Sequence, residues 1–259
     1  MRYTARATSI EIAFSLKEPI GVVAALFPET RDLRRRLRPL RCLSAGGLPL
    51  MIGGAAGREV LLGHSGMGPS CAAELAERLI RERPIEALLS VGFAGGLEPG
   101  LQIGDLVLAD RVCFKRLLTC DARLLRHGEG AVQDLGLRYR RGLLISKEKM
   151  VGSSEGKRDL FVQEGAAAVD MESGAVAEVA ARARVPFLAI RSISDLSEQA
   201  LDPWIGGLIG PGGGIGYHRL FSGLLRRPDR LGLLWRLRQQ SFRAAATLNE
   251  FLIRFLTTL

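Results

Sequence analysis

The stretch Glu59-Val-Leu-Leu-Gly-His-Ser-Gly-Met-Gly-Pro-Ser-Cys-Ala-Ala-Glu-Leu-Ala-Glu-Arg-Leu-Ile-Arg-Glu82 decides the fold class. Residues 59–64 form a nearly continuous apolar run. That predicts a strand buried on both faces, since a half-exposed strand would alternate apolar with polar residues. The run ends in the glycine-rich turn Ser65-Gly-Met-Gly68. Pro69 follows, at a place where a first helical turn tolerates proline because the N–H there has no intrahelical partner. Over residues 71–82 the apolar side chains recur at helical spacing. Strand, glycine turn and helix in this order make one unit of an α/β fold.

The same unit recurs on either side. Residues 20–26 predict a buried strand that leads into Pro28-Glu29 and a polar helix start. Residues 86–92 predict a third strand, running into Gly95-Gly96, and further strands are predicted at 106–112, 142–146 and 186–193. Buried strands separated by amphipathic helices predict a mainly parallel sheet covered on both faces. Ligands of such sheets bind beyond the carboxyl ends of the strands, which directs attention to Glu29, Gly66 to Gly68, Phe93 to Gly96 and Ser194-Asp195. No repeat and no linker precedes residue 197, so residues 1–19 are read as an N-terminal extension and 20–259 as one domain. Residues 202–216 are rich in Gly and Pro and predict a long loop, and a last helix is expected from about Pro228 to the C-terminus.

The composition narrows the function. The chain has 259 residues, a formal charge of +9, 47% hydrophobic residues and 6% aromatics. That hydrophobic share excludes a disordered chain or a collagen-like repeat, and so few aromatics argue against binding single strands by base stacking. No apolar stretch reaches the roughly 18 residues a membrane span requires. Residues 1–19 carry no secretory apolar core. Cys42, Cys71, Cys113 and Cys120 form no Cys-x-x-Cys pair and read as reduced thiols of a cytoplasmic protein. His64, His127 and His218 show no metal-ligand spacing, so neither a metal nor a cofactor is expected.

The basic charge is clustered. Arg34, Arg35, Arg36, Arg38 and Arg41 read as a solvated face without a nucleic-acid motif. Arg226, Arg227, Arg230, Arg236 and Arg238 lie with Trp235 in a Leu-rich stretch over 224–238. Such a stretch suits either packing against the protein or a membrane interface.

Three carboxylates, Glu29, Glu172 and Asp195, stand at strand ends or helix starts on the ligand-binding edge. One such residue would be an ordinary cap; three together point to chemistry. The glycines at 66–68 and 92–96 lack Gly-x-Gly-x-x-Gly spacing, which argues against a dinucleotide site.

Gly92-Phe-Ala-Gly-Gly-Leu97, Gly104-Asp-Leu-Val107, Val169-Asp-Met-Glu-Ser173 and Arg191-Ser-Ile-Ser-Asp195 together resemble the superfamily of purine nucleoside phosphorylases and methylthioadenosine/S-adenosylhomocysteine nucleosidases. The resemblance implies a three-layer αβα sandwich with a mixed, partly barrel-like central sheet, and cleavage of an N-glycosidic bond. It implies Asp195 as the general acid at purine N7 and Glu172 on the ribose hydroxyls, with Met171 beside the sugar. Glu29 matches the glutamate that activates water, and Arg191 the basic residue near that water. Val151 would meet the adenine edge through its backbone, while Ala94 and Gly95 would line the base or ribose pocket. Phe93 stands where the family has a small or hydroxyl residue, and Met150 where an aromatic stacks on the base. Phosphorylases place an arginine at the position of Ser90. Serine there, with a carboxylate at 29, favours hydrolysis, with phosphorolysis through Arg31 as the alternative. A non-catalytic purine-binding protein is the alternative from another class; retention of all three acids argues against it. Residues 197–240 form an insertion or extension atypical of the family, and their Leu-Leu-Arg-Arg-Pro228 stretch resembles the hopanoid-associated branch, which removes adenine from an adenosyl-lipid. This implies an apolar 5′ substituent and fits membrane-surface contact through 204–238; the superfamily resemblance implies a homo-oligomer.

Overall fold

A computed structural model of the chain describes residues 18–43, 48–55, 57–201 and 230–259. The proposed N-terminal extension, apart from Glu18 and Pro19, and the glycine-rich loop of 202–216 lie outside the described residues. So do Arg226 and Arg227.

In chain order, β1 (Ile20–Ala24) runs into a 3-10 turn (Phe27–Thr30) and α1 (Arg31–Arg36). Next come β2 (Arg38–Leu43), β3 (Leu50–Ala55), β4 (Arg58–His64) and α2 (Pro69–Glu82). β5 (Ala87–Gly96), β6 (Leu106–Cys113), β7 (Leu117–Thr119) and α3 (Ala122–Leu135) follow. The chain continues through β8 (Tyr139–Ser146), α4 (Ser154–Glu164), β9 (Ala168–Asp170), α5 (Ser173–Ala183) and β10 (Phe187–Asp195). α6 (Arg230–Thr258) is the C-terminal helix.

The strands form one sheet in the order β10-β6-β8-β9-β5-β1-β4-β3-β2, with β7 on β6 and a further pairing of β10 with β5. That last pairing closes β10, β6, β8, β9 and β5 into a five-stranded barrel, and β1 to β4 extend from its wall. The patterning predicted a mainly parallel sheet, and the strands it located do run parallel where β1 meets β4 and β5, and where β10 meets β5. Antiparallel pairs enter through β2, β3, β7 and β9, and through β10 against β6, so the sheet is mixed.

β1 is buried along its whole length, as its Ile-Gly-Val-Val-Ala run requires of a strand covered on both faces. α2 and α5 pack on each other and on the sheet; α1 and α3 pack on α6, giving the second helical layer. α6 is held by Leu248, Phe251, Leu252, Phe255 and Leu256, all fully buried. Among the described residues no helix is long and apolar enough to cross a membrane.

Two strands run further than their apolar cores predict. β5 carries through Gly95 and Gly96, and β10 through Ser194 and Asp195. Their pairing shifts register between Ile193 and Asp195, and such a bulge re-aims the side chain that follows it.

Candidate active site

The carboxyl ends of β1, β5 and β10 meet the start of α5 around a cavity of about 240 Å³. Nine of the ten sequence-predicted site residues line it: Glu29, Phe93, Ala94, Gly95, Met150, Val151, Met171, Glu172 and Asp195. The tenth, Arg191, is 1% exposed and stands behind the wall.

Glu29 sits on the 3-10 turn after β1. Its Oε2 accepts hydrogen bonds from the amides of Ala25 (2.8 Å) and Leu26 (2.7 Å), and its Oε1 from the amide of Phe93 (3.0 Å). Gly92 permits this approach, because a Cβ there would lie 2.8 Å from Oε1. Burial pushes the carboxyl above its ordinary pKa, while the amide donors and Arg191 pull it back only in part. A carboxylate whose proton affinity is raised this way suits a general base. The turn is anchored from α6: Asn249 Oδ1 accepts from the amides of Asp32 (2.9 Å) and Leu33 (3.1 Å), and its Nδ2 donates to the carbonyl of Glu29 (3.2 Å).

Glu172 occupies the N-cap position of α5 yet does not cap it. The free donors of that helix end are met instead by Asp170 Oδ2, which accepts from the Ser173 amide (3.0 Å), and by Ser146 Oγ, which accepts from the Gly174 amide (2.7 Å). Glu172 is thereby released to face the cavity, where Oε1 accepts from the Gly68 amide at 2.8 Å. Gly68 has φ 106°, a conformation that favours glycine and that turns its N–H toward this carboxyl. Burial first and the Asp170 charge second push Glu172 up to about 7, against the pull of Arg191 and the Gly68 amide. Near neutral pH this carboxyl can therefore accept from, or donate to, a sugar hydroxyl.

Each guanidinium nitrogen of Arg191 has a partner. Nε donates to Asp170 Oδ2 (2.8 Å), Nη2 to Ser90 Oγ (2.9 Å) and Nη1 to the Ile190 carbonyl (3.0 Å). Asp170 also accepts the Ser146 hydroxyl. The guanidinium thus acts on Glu29 and Glu172 as a buried charge behind them.

Asp195 follows the β10 bulge. Ser194 Oγ donates to its Oδ1 at 2.9 Å, and the Lys157 ammonium donates to its Oδ2. Gly95 leaves room for this pair, since a Cβ there would lie 3.1 Å from Oδ2. Among the described residues on the cavity wall none is Lys, Arg or His, and four are acidic: Glu29, Asp170, Glu172 and Asp195. Met67, Met150, Val151, Leu201 and Leu237 supply apolar wall, with Leu237 and Ser241 contributed by α6. His64 lies beside the site, 2.7 Å from Thr30 Oγ1 and under the Phe27 ring, and burial lowers its pKa to about 4, so it is neutral.

Sequence reasoning passed over Asp170, Lys157 and Asn249 as site-building residues. Asp170 stands inside a quoted motif. Asn249 interrupts an apolar stripe of α6, a signal that was available. A lysine in the polar helix α4 offers no periodic signal at all.

Residues 19–204 match the family described as the phosphorylase superfamily. Among solved structures, the chain is similar to the 5′-methylthioadenosine/S-adenosylhomocysteine nucleosidase of Neisseria meningitidis in complex with methylthio-immucillin-A. The two are 22% identical with a TM-score of 0.76, over 93% of this chain and 100% of that one. It is similar also to the nucleosidase of Colwellia psychrerythraea in complex with adenine (19% identical, TM-score 0.76, 94% and 96% covered). The S-adenosylhomocysteine nucleosidase of Streptococcus pyogenes with 5-methylthiotubericidin gives 19% identity and a TM-score of 0.76 over 95% and 98%. At these identities the structural likeness is one of fold. The family match covers more than two thirds of the 259 residues, and the chain belongs to the phosphorylase superfamily.

Proposed function

We propose that the protein is a nucleosidase that hydrolyses the N-glycosidic bond of a 5′-modified adenosine and releases adenine. The observation that carries this reading is the cavity wall, with its four acidic groups and no basic residue among those described. A phosphate dianion entering here would meet carboxylates; water would not be repelled. Arg31, the alternative phosphate contact, is off the wall, 3.4 Å from Asp32 and stacked over the Phe242 ring at 5.4 Å. Ser90 and Arg191 satisfy each other behind the wall. The compared relatives are nucleosidases solved with adenine or methylthio-nucleoside ligands, in keeping with the same substrate class.

In this mechanism Asp195 gives a proton to purine N7 as the C1′–N9 bonding pair passes to the base. Glu29 takes a proton from the water whose oxygen bonds C1′. Glu172 binds the ribose hydroxyls, and its negative charge favours the oxocarbenium-like sugar. Met171 lies at the sugar, Val151 offers its backbone to the adenine edge, and Met150 and Phe93 flank the base with Ala94 and Gly95. General acid and general base each contribute about 10²–10⁴-fold.

For the 5′ group we propose a long apolar chain of the adenosyl-hopanoid kind. Met67, Leu201 and Leu237 would begin its path, and Trp235, 63% exposed beside Arg236 and Arg238 on α6, would meet the membrane surface of a cytoplasmic enzyme. Trp204 and the rest of the proposed contact before residue 230 lie outside the described residues. A homo-oligomer is proposed from the family resemblance. The test is adenine release from adenosine, methylthioadenosine and a long-chain 5′-alkyl adenosine, each with and without phosphate. Release that is phosphate-independent and rises with chain length is expected. Strict phosphate dependence would make the enzyme a phosphorylase, release indifferent to chain length would remove the lipid substrate, and no release would leave a purine-binding protein.

A further inference from the structure

Lys157 is the one buried residue of α4, and it is 0% exposed. Its Nζ donates to Asp195 Oδ2, to the Leu196 carbonyl (2.8 Å) and to the Gln199 carbonyl (3.0 Å). Three N–H groups meet three acceptors, so the amine is a saturated ammonium whose one side-chain partner is the Asp195 carboxyl. Packing alone does not call for it, because a methionine of similar length would fill the space without the cost of burying a charge.

We infer that Lys157 is a positioning residue for the leaving-group acid, setting the orientation of Asp195. This inference rests on the acid role proposed for Asp195. Lys157 lies behind the cavity wall and Ser194 on it. Oδ2 is therefore turned inward to the ammonium, and Oδ1, on the Ser194 side, is the oxygen left to address N7. The same ammonium holds the turn at 196–199, which leads to Leu201 on the cavity wall. Leu201 is tied back to Gly152 by a 2.7 Å backbone bond, and Gln199 pairs with Gln240 of α6. During the reaction the Oδ1–H bond breaks and N7–H forms. The negative charge left on Asp195 is then met by Lys157, which keeps all three of its protons. Arg191, Asp170, Glu172 and Glu29, the other charged groups around the cavity, contact neither oxygen of Asp195.

The test is a double-mutant cycle on adenine release from methylthioadenosine, with p-nitrophenyl β-D-ribofuranoside as a second substrate whose leaving group departs without protonation. Asp195→Asn is expected to slow adenine release by about 10²–10⁴-fold. Lys157→Met is expected to lower kcat for adenine release by about 10²-fold with KM little changed. Lys157→Gln, which keeps a donor, should recover part of that loss. Lys157→Met added to Asp195→Asn should cost nothing further, and nitrophenolate release should be little changed by either variant. Equal losses on both substrates, or additive losses in the cycle, would show a merely structural role and overturn the inference, as would undiminished adenine release. If Asp195→Asn itself leaves adenine release intact, the acid assignment fails first. Should Lys157→Met not fold, Lys157→Gln carries the same cycle.

Discussion

Glu29 and Asp195 face the cavity as buried carboxyls at strand ends, but they are held in different ways. Glu29 is gripped by main chain: three amides from two segments bind its two oxygens, and among the described residues no cation touches it. Asp195 is gripped by side chains, the Ser194 hydroxyl and the Lys157 ammonium. Burial outweighs the amide donors at Glu29 and keeps its proton affinity raised, as a base requires. A full ammonium at Asp195 instead meets the charge that an acid develops when it gives up its proton. Like residues thus acquire opposite tasks from the donors around them.

That contrast is broken most severely by removing the groups themselves. Glu29→Gln is expected to lower kcat by about 10²–10⁴-fold. It should also cost about 1–3 kcal/mol of stability, since its NH₂ would oppose backbone N–H donors, read by steady-state kinetics and denaturant unfolding. Asp195→Asn gives the comparable kinetic loss on the other side.

Gly92→Ala sharpens the comparison, because it displaces Glu29 without touching its chemistry. The atom in the way is the end of a flexible side chain, so the fold should tolerate the methyl. kcat should nevertheless fall by about 10²-fold, the usual effect of misplacing a catalytic group by about 1 Å. Retained melting temperature with lost activity is the expected pair of readings.

Glu172, between the two, separates burial from charge. Its folded pKa, raised to about 7 from 4.5, means that the folded state favours the protonated form. The associated stability is fully present below about pH 4.5 and is lost as pH rises through about 7, a change of roughly 3 kcal/mol. Glu172→Gln should flatten that part of the stability–pH curve and weaken ribose binding, seen as a raised KM.

Asn249→Ala is the mildest case. It removes the anchor of the turn that carries Glu29, at a cost of about 1–2 kcal/mol by thermal unfolding. The loss in kcat should be smaller than that of Gly92→Ala.

These residues also show what a sequence exposes. β1, β4 and β5 were legible because strands buried on both faces are written as continuous apolar runs. β2 was not, because its Arg-Pro-Leu-Arg residues form an exposed edge of the sheet and read as a charged stretch. β9 has three residues, too few for any period to show. At the site, Glu29, Glu172 and Asp195 stood out as acids where packing does not ask for acids. Arg191 stood out in its motif, but its position behind the wall depends on Asp170 and Ser90, neither of which points to it in the sequence. Lys157 reaches Asp195 across 38 positions and Asn249 reaches Asp32 across 217, distances over which only the folded chain makes a neighbourhood.

Water as the nucleophile is tested most directly by running the reaction in ¹⁸O-labelled water with excess phosphate present and weighing the sugar product by mass spectrometry. Hydrolysis assisted by Glu29 predicts free sugar that carries one ¹⁸O atom at C1, formed at a rate indifferent to phosphate. A sugar 1-phosphate, with no label at C1, would contradict it.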